Sequence, residues 1–304
     1  MQDLINSRNM QTQPLVSVVI ATYNMGQYLA QAVESILNQT WKNLEVIVVD
    51  DGSTDDTEQV MQAYQANTRV YYLKTINQGQ PKAKNTGINN TKGDYIAFCD
   101  ADDFWEPFKL EVQLPLFNNP AVGVVYSEVS NIDEQNRRYV RPANEVRHSG
   151  QVTNQLMIEN FVPFGTSVIR RACIERNGVF DEEFRMGIDW DLWLRYSLDW
   201  EFAYTPERTY VYRVWSGQMS TNYRGRYDFA IRILNKFVTK HKPQLNPRYV
   251  RKAWADMYIS KGVVYARNEK RFWMPLQHIL HGVLLDPFTT YGWKSLIKLC
   301  LGRC

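Results

Sequence analysis

Three largely apolar runs, the first of them rich in β-branched residues, each end at a cluster of polar side chains, and this repeated arrangement constrains the fold most strongly. The runs cover residues 16–21 (VSVVIA), 44–49 (LEVIVV) and 94–99 (DYIAFC). Amphipathic stretches separate them, and that alternation is typical of an α/β domain with a mostly parallel sheet and right-handed crossovers. Because ligands bind beyond the carboxyl ends of such strands, the polar clusters predict one pocket at that edge.

Strand patterns stop after about residue 223, which predicts a change of architecture there. Three stretches with helical spacing follow, at residues 227–240, 248–267 and 272–285. We therefore expect a flexible N-terminus at 1–13, an α/β domain at 14–224 and a helical C-terminal region at 225–304.

Charge is distributed unevenly along the chain. Residues 1–224 carry a net charge of −8, whereas residues 225–304 carry +11. Basic residues interleaved with Trp and Leu are typical of helices that lie in a membrane interface, so 225–304 predicts contact with an anionic membrane surface. The alternative is that these helices pack on the rest of the chain or on another subunit, so that an oligomer is conceivable. Nothing in the composition indicates binding to nucleic acid.

Targeting signals are not evident in the sequence. The first thirteen residues lack an apolar core, and no apolar run approaches the roughly 20 residues that span a bilayer. The four cysteines form no CxxC pair, which favours reduced thiols. We therefore expect a cytoplasmic protein, peripheral at the inner face of the membrane if 225–304 binds lipid.

The acidic segment Asp100-Ala101-Asp102-Asp103 follows directly after an apolar run. Three carboxylates so close together repel one another, and a divalent cation relieves that repulsion while bridging phosphate oxygens. The segment therefore predicts a metal and phosphate site. The alternative is a solvated acidic turn before a helix.

Two further segments carry groups suited to a nucleotide. A carboxylate of Asp50-Asp51-Gly52-Ser53 can accept hydrogen bonds from a base or a ribose, and Ser53 is a candidate cap for the next helix. Lys84, like Lys82, lies near a predicted helix start, where it can meet a phosphate. The alternatives are an ordinary strand-to-helix turn for the first segment and a solvated basic surface for the second.

The segment GIDWDLWLR places Asp189 near a helix start, where the helix dipole favours its ionised form. Trp193 lies four residues further on and shares a helical face with Asp189. Aromatic rings can bind sugars, but for Trp193 and Leu194 we favour a place in the core.

These segments together resemble the family-2 glycosyltransferases, which have the GT-A fold. The resemblance runs from about residue 15 to 220 and rests on VSVVIATYN, QTWKNLEVIVVDDGSTDDT, NQGQPKAKNTGINNTKGDYIAFCDADDFWEP, GIDWDLWLR and YRVWSGQMS. It implies an inverting, metal-dependent transfer of sugar from a nucleotide-diphosphate sugar, UDP by default, to an acceptor hydroxyl. The acceptor would be a saccharide or a lipid-linked saccharide, in cell-surface glycan or polysaccharide assembly.

The resemblance also implies roles for particular residues. Thr22, Tyr23 and Asp51 would contact the nucleotide, and Asp100 would contact the nucleotide portion beside the metal. Asp102 would bind Mn²⁺ or Mg²⁺ together with Asp100. Lys84 would serve the donor site, and Asp189 would be the general base.

This sequence departs from the family pattern at two positions. Lys84 stands where the family commonly has Arg, which weakens bidentate contact with a phosphate. Trp215 stands where it commonly has His, which puts contacts to the leaving diphosphate in question.

Because of Trp215, an alternative interpretation remains, in which the protein is catalytically degenerate and only binds nucleotide or glycan. A sugar-phosphate nucleotidyltransferase is disfavoured because residues 21–26 (ATYNMG) contain no Lys or Arg. A processive polysaccharide synthase is disfavoured because there is no QxxRW string and no expected transmembrane helix.

Overall fold

The structure, a computed structural model, describes residues 13–142, 146–218, 222–269 and 272–302. The chain divides into two compact units. The first comprises Met1–Gly150, Val162–Glu183 and Asp199–Trp215, and the second comprises Gln151–Phe161, Phe184–Leu198 and Ser216–Cys304. The expected flexible N-terminus, apart from Gln13, lies outside the described residues. The expected domain division near residue 224 stays a prediction.

Within the described residues, the first unit contains the strands β1 to β9 and five α-helices. The strands are β1 Val16–Thr22, β2 Leu44–Asp50, β3 Val70–Lys74, β4 Tyr95–Phe98, β5 Phe104–Trp105, β6 Val122–Ile132, β7 Arg138–Tyr139, β8 Val168–Arg170 and β9 Glu201–Arg213. Its helices are α1 Gly26–Leu37, α2 Thr57–Gln62, α3 Gln80–Asn89 and α4 Lys109–Gln113, with α6 Arg171–Asn177 later in the chain. Short 3₁₀ segments at Leu114–Asn118 and Phe164–Thr166 complete the unit.

One sheet joins these strands in the order β3-β2-β1-β4-β8-β6-β9-β5, with β7 beside β6. The pairs β3·β2, β2·β1 and β1·β4 are parallel, as the repeated strand and helix pattern predicts. Antiparallel pairs occur where β8 joins β4 and β6, and at β5 and β7. Thr22 of β1 pairs with Asp50 of β2, so the polar clusters after these two strands begin at the same level of the sheet.

Close packing fixes the helices against the parallel strands. Every residue of β2 is buried, which explains its nearly continuous apolar run. Helix α3 approaches β1 so closely that a Cβ on Gly87 would lie 2.4 Å from Cγ1 of Val19. Only glycine permits that approach, and it brings Lys84 of α3 down to the sheet.

The second unit is helical where it is described. It comprises α5 Thr153–Ile158, α7 Ile188–Tyr196, α8 Tyr223–His241, α9 Pro247–Glu269, α10 Trp273–Leu285 and α11 Thr290–Cys300, with a 3₁₀ turn at Lys242–Gln244. Glycines let α10 pack closely on α9, since a Cβ on Gly262 would lie 2.8 Å from the carbonyl oxygen of Pro275. Within the described ranges, no helix is both long and apolar enough to cross a membrane.

Two local expectations need correction. Helix α2 begins at Thr57 with Asp56 as its N-cap residue, so Ser53 does not cap it. The hydroxyl of Ser53 instead accepts a hydrogen bond from the backbone N–H of Asn24 at 2.9 Å. Helix α11 lies in the C-terminal region expected to be helical, but beyond the last stretch with helical spacing, because residues 286–289 interrupt the apolar periodicity.

Lys109 of α4 is fully buried in the first unit. Its ammonium donates to Oε1 of Gln113 at 2.6 Å and to the carbonyl oxygen of Thr166 at 2.5 Å, and it lies 4.9 Å from the ring centre of Trp105. No carboxylate in the described part of the chain forms an ion pair with it. Burial holds the pKa of Lys109 well below its usual value.

We predict that Lys109→Met is at least as stable as the wild type at pH 7. The Lys109 ammonium holds fewer protons in the folded protein than in the unfolded chain. The wild type therefore gains stability as the pH rises toward about 10.4, the pKa of lysine in an unfolded chain. Gln113 still donates to Thr166 in the variant, at 2.8 Å in the wild type. Urea unfolding across pH 7 to about 10 should show the stability difference shrinking as pH rises; a pH-independent difference would contradict this explanation.

Candidate functional site

The loops after β1 and β2 are joined by hydrogen bonds at the carboxyl edge of the sheet. Asn24 adopts a left-handed conformation with φ of 54°, which asparagine tolerates better than most residues. Its side-chain oxygen accepts from the N–H of Thr54 at 2.8 Å, and the N–H of Gly26 donates to Asp55 at 2.9 Å. The two loops therefore form one rigid rim around the end of β1.

Thr22 and Tyr23, both expected to contact a nucleotide, lie at this rim. Thr22 is only 3% exposed, and its hydroxyl has no hydrogen-bond partner among the described residues. A buried hydroxyl without a partner is costly, so a ligand that bonds to it would recover stability. Tyr23 is 47% exposed and presents its ring to solvent.

Asp50 and Asp51 hold the turn that follows β2. Asp50 is fully buried and accepts from the N–H of Ser53 at 2.7 Å and from the hydroxyl of Tyr72 at 2.6 Å. Burial, and then the Asp50 carboxylate, raise the pKa of Tyr72. Asp51 accepts from the N–H groups of Gln78 and Gly79, each at 2.8 Å. Asp51 therefore anchors the loop before α3 with both of its carboxylate oxygens.

Gly52 is required for this turn. It has a positive φ of 80°, and a Cβ there would lie 2.7 Å from the backbone nitrogen of Asn77. Asp51 and Gly52 thus bring the 75–79 loop against the β2 edge. Each oxygen of Asp51 retains a lone pair, so its expected contact with a nucleotide stays a prediction.

Lys84 is 2% exposed, and its ammonium forms an ion pair with Oδ1 of Asp100 at 2.8 Å. It also lies 4.2 Å from the ring centre of Phe164. The structure therefore brings together Lys84 and Asp100, two residues that the sequence placed at the donor site. The side chain of Asp100 keeps 31% exposure, so this carboxylate also reaches solvent.

Asp103 has a different role from its two acidic neighbours. It is 2% exposed and accepts from the hydroxyl of Tyr210 at 2.7 Å and from the backbone N–H of Arg213 at 2.7 Å. The hydroxyl of Tyr210 also accepts from the N–H of Asp100, and Nε of Arg213 donates to the carbonyl oxygen of Asp102 at 2.9 Å. Asp103 therefore clamps the acidic turn to β9. The local sequence gives no signal for this contact, which joins residues more than 100 positions apart.

Asp102 projects from the clamped turn with a partner of its own. The indole N–H of Trp215 donates to Oδ2 of Asp102 at 2.8 Å. Burial, followed by the negative charge of Asp100, raises the pKa of Asp102, and the Trp215 hydrogen bond opposes that rise. Trp215 therefore orients the carboxylate that the sequence assigns to a metal.

Asp100 and Asp102, the two carboxylates of the acidic turn other than Asp103, fit a hard divalent cation. Asp100 and Asp102 lie close enough for their charges to disfavour each other, and a cation would relieve that repulsion. Within the described ranges, no group of three or more His, Cys, Asp or Glu side chains is arranged to hold a metal. Two carboxylates leave coordination positions for phosphate oxygens and water, which is how Mg²⁺ is usually bound.

Asp189 lies in the second unit, in the first turn of α7. Gly187 precedes the helix in a left-handed conformation. Asp189 is half-buried, and its Oδ2 accepts from the side-chain amide of Asn160 at 2.7 Å. The amide therefore fixes the direction of this carboxylate.

Asp191, the other acidic residue in this turn, is 5% exposed and forms an ion pair with Arg195 four residues later. Arg195 approaches Oδ2 of Asp191 with Nε at 2.9 Å and Nη2 at 2.8 Å. Trp193 and Leu194 are both 0% exposed, which confirms their expected place in the core. The ion pair with Arg195 therefore gives Asp191 a structural role at the start of α7.

A surface cleft of about 840 Å³ lies at the opposite, amino end of the strands, beside Leu15, Asn43 and Tyr95. Its two arginines are already used by the fold. Arg170 donates to the carbonyl oxygens of Val122 and Phe117, and Arg171 donates to that of Gly93. The fold therefore already uses both arginines of the cleft.

Comparison with known proteins addresses the family and the fold of the chain. A family model described as glycosyl transferase family 2 matches residues 17–178. The chain is 35% identical to chondroitin synthase of Escherichia coli over 198 residues, which is 64% of this chain and 28% of that protein. It is 31% identical to an uncharacterized glycosyltransferase of Methanocaldococcus jannaschii over 208 residues, 66% of this chain and 71% of that one. The chain spans 26% and 58% of the length of two uncharacterized Rickettsia glycosyltransferases that it matches.

Solved structures share the fold, including the GT-A architecture expected from the sequence. A crystal structure of S. aureus TarS superposes with a TM-score of 0.67 at 17% identity, over 93% of this chain and 88% of that one. TarS has also been solved with UDP-GlcNAc. The mannosyltransferase PcManGT of Pyrobaculum calidifontis, in complex with GDP-Man and Mn²⁺, superposes with a TM-score of 0.66 at 18% identity, over 96% and 86%.

We predict that Trp215→Phe weakens Mn²⁺ binding by roughly tenfold or more, because the hydrogen bond that orients Asp102 is lost. Mn²⁺ affinity can be measured directly by electron paramagnetic resonance. The matched control is Trp200→Phe, which removes another half-buried indole hydrogen bond, to Asn177 at 3.0 Å. Equal Mn²⁺ affinities in the wild type and both variants would show that Trp215 does not orient a metal ligand.

Proposed function

The chain belongs to glycosyltransferase family 2, and on that basis we propose that it transfers a sugar from a nucleotide-diphosphate sugar to an acceptor hydroxyl. The observation that carries the proposal is the clamped acidic turn. Asp103 is used to hold that turn on β9, and Asp100 and Asp102 are left at the carboxyl edge of the sheet. Two adjacent carboxylates at this edge suit a cation bound to a diphosphate.

We propose that the nucleotide lies along the rim formed by the loops after β1 and β2. The buried hydroxyl of Thr22, which lacks a partner among the described residues, supports this position, and Tyr23 offers an exposed ring beside it. Asp51 would accept a further hydrogen bond from the base or ribose while it holds the 78–79 amides. UDP is the default nucleotide, and the GDP-Man complex of PcManGT keeps GDP as an alternative.

Mn²⁺ or Mg²⁺ would be held by Asp102 and Asp100. When bound there, the cation would supply positive charge to the departing diphosphate. Lys84 holds Asp100 in place through its buried ammonium, and the indole of Trp215 holds Asp102. These two partners keep the carboxylates in one geometry, so little reorganisation is needed when charge develops on the leaving group.

We propose Asp189 as the general base in a single displacement with inversion at the anomeric carbon. Its carboxylate would take the proton from the acceptor hydroxyl as that oxygen bonds to the anomeric carbon. The Asn160 amide occupies Oδ2 and fixes its orientation. Asp191 is a poorer candidate, because its charge is neutralised by Arg195.

The acceptor would be a saccharide or a lipid-linked saccharide in cell-surface glycan or polysaccharide assembly. The similarity to chondroitin synthase over 64% of this chain is consistent with a saccharide acceptor. A lipid-linked acceptor would place the reaction at the inner face of a membrane, with 225–304 as the region that contacts it.

A catalytically degenerate binding protein is the second candidate, and Trp215 in place of histidine favours it. The indole N–H can donate to Asp102 but cannot coordinate a metal. Release of nucleoside diphosphate from UDP-sugars and GDP-sugars, assayed with Mn²⁺ and a panel of saccharide acceptors, tests the two functions. Nucleotide-sugar binding without turnover on any acceptor would favour the degenerate protein.

We predict that Asp102→Asn abolishes metal-dependent nucleotide binding and lowers turnover by roughly 10² or more, because a neutral amide attracts a cation far less than a carboxylate. Calorimetry of UDP binding with Mn²⁺ gives the first result, and the diphosphate-release assay gives the second. Asp133→Asn, at an exposed turn of the first unit, serves as the matched control. Full activity of Asp102→Asn, or of the wild type in EDTA, would refute the metal assignment.

We predict that Asp189→Asn lowers kcat by roughly 10² or more and leaves donor affinity nearly unchanged, because the amide keeps the shape but not the basicity. The matched variant is Asp191→Asn, which breaks the ion pair to Arg195 and should lower thermal stability more than kcat. Steady-state kinetics and melting temperatures of both variants separate these effects. A larger loss of kcat in Asp191→Asn than in Asp189→Asn would show that Asp189 is not the general base.

A further inference from the structure

The second unit exposes an unusual amount of apolar surface on α10, α11 and the residues next to them. Nine of the sixteen exposed large hydrophobic residues in the described part of the chain fall between residues 272 and 301. The most exposed of these nine are Phe288 at 92%, Leu284 at 78% and Trp273 at 74%. Single exposed apolar residues are ordinary, but a concentration of this kind marks an interaction surface.

The two helices already use one face each for packing, so this exposure is not an unfilled core. In α10, Ile279 and Val283 are buried against Ile259 and Val263 of α9. In α11, Leu299 is buried in the same cluster, and a Cβ on Gly292 would lie 2.9 Å from Ile259. The exposed apolar residues lie on the opposite faces of the same helices.

The exposed face of α11 combines an apolar row with a basic row. Trp293, Ile297 and Leu301 follow one another at intervals of four residues, with exposures of 47%, 58% and 59%. Lys294 and Lys298 form the adjacent row, and both are exposed. Residues four apart lie on one face of a helix, so ammonium groups border the apolar row along its length.

A second basic group lies at the start of α9. Arg248, Arg251 and Lys252 are exposed in its first turns, and residues 229–255 contain no acidic residue. The carboxyl end of α10 packs beside this part of α9, since a Cβ on Gly282 would lie 2.6 Å from the carbonyl oxygen of Ala255. Positive charge therefore lies near the end of α10 that carries Leu284.

From this arrangement we infer that the exposed faces of α10 and α11, with Phe288 between them, form a surface that binds an anionic lipid bilayer. This inference rests on the proposed function only in the purpose given to the surface, which is to bring the enzyme to a lipid-linked acceptor. The helices have 13 and 11 residues, shorter than the roughly 20 that span a bilayer, so they would lie in the interface.

A bilayer explains the charge better than a second copy of this chain does. The exposed face of α11 carries Lys294 and Lys298, and the one acidic residue between positions 272 and 302, Asp286, is only half-exposed. A symmetric pairing of this surface would bring ammonium groups together with little acidic surface to oppose them, which is unfavourable. Anionic headgroups would instead neutralise the basic rows while the Trp and Leu side chains enter the acyl boundary.

The test is cosedimentation of the full chain with vesicles of phosphatidylcholine, with and without phosphatidylglycerol. We expect binding to the anionic vesicles at low salt and a loss of roughly tenfold or more at high salt, because salt screens the lysines. The quadruple variant Leu284→Ser, Phe288→Ser, Trp293→Ser and Ile297→Ser should lose binding at both salt concentrations. Lys294→Glu with Lys298→Glu should lose binding to anionic vesicles at low salt.

The matched control is Val140→Ser with Val146→Ser, two residues of the first unit that are 51% and 66% exposed. This variant should bind vesicles like the wild type. UDP affinity with Mn²⁺, measured without vesicles, should be equal in all of these proteins, so that a failure of the donor site is distinguished from a failure of this surface. The inference would be overturned if the wild type failed to bind anionic vesicles at low salt. It would also be overturned if the quadruple variant bound them as well as the wild type does. Analytical ultracentrifugation that shows a dimer disrupted by the quadruple variant would also overturn it.

Discussion

The hydrogen bonds from Tyr210 and Arg213 of β9 to Asp103 hold the turn on which the candidate site depends. A turn with three carboxylates would otherwise be pushed apart by its own charge. Asp103 is buried and accepts both hydrogen bonds, so its carboxyl group serves to position the turn. Asp100 and Asp102 are then presented at the carboxyl edge of the sheet, each with one polar partner, Lys84 and Trp215. The proposed metal site is thus built by β9, which follows the acidic turn by about 100 residues.

Much of the fold could be predicted from local sequence, because β1, β2 and β4 are apolar runs bounded by turns and α3 carries its packing glycine. The expected parallel order of the first strands is confirmed. What could not be predicted are the contacts between distant segments. The clamp on Asp103 and the Trp215 hydrogen bond leave no local pattern. Similarly, the sequence predicted Lys84 to be a phosphate ligand, and only the structure reveals its buried ion pair with Asp100.

The second unit shows the same limit of sequence reasoning. Spacing places Asp189 and Asp191 in one helical turn without distinguishing them, whereas the Arg195 ion pair to Asp191 separates a structural carboxylate from a candidate base. Likewise, the apolar residues of 272–301 could have been entirely core. In the structure, Val283 and Leu299 pack inward while Leu284, Trp293 and Ile297 remain exposed beside lysines. Which of these apolar residues are buried depends on the rotation of each helix about its axis. Close contacts at glycines such as Gly262 and Gly282 determine that rotation.

We propose that the clamped turn binds a nucleoside diphosphate together with a divalent cation. The decisive measurement is calorimetric titration of UDP and GDP into the wild-type protein, with Mn²⁺ and after its removal by EDTA. We expect one of the two nucleotides to bind with Mn²⁺, and its affinity to fall by about tenfold or more, or ~1.4 kcal/mol, without the metal. Equal affinity with and without Mn²⁺, or no binding of either nucleotide in its presence, would contradict it.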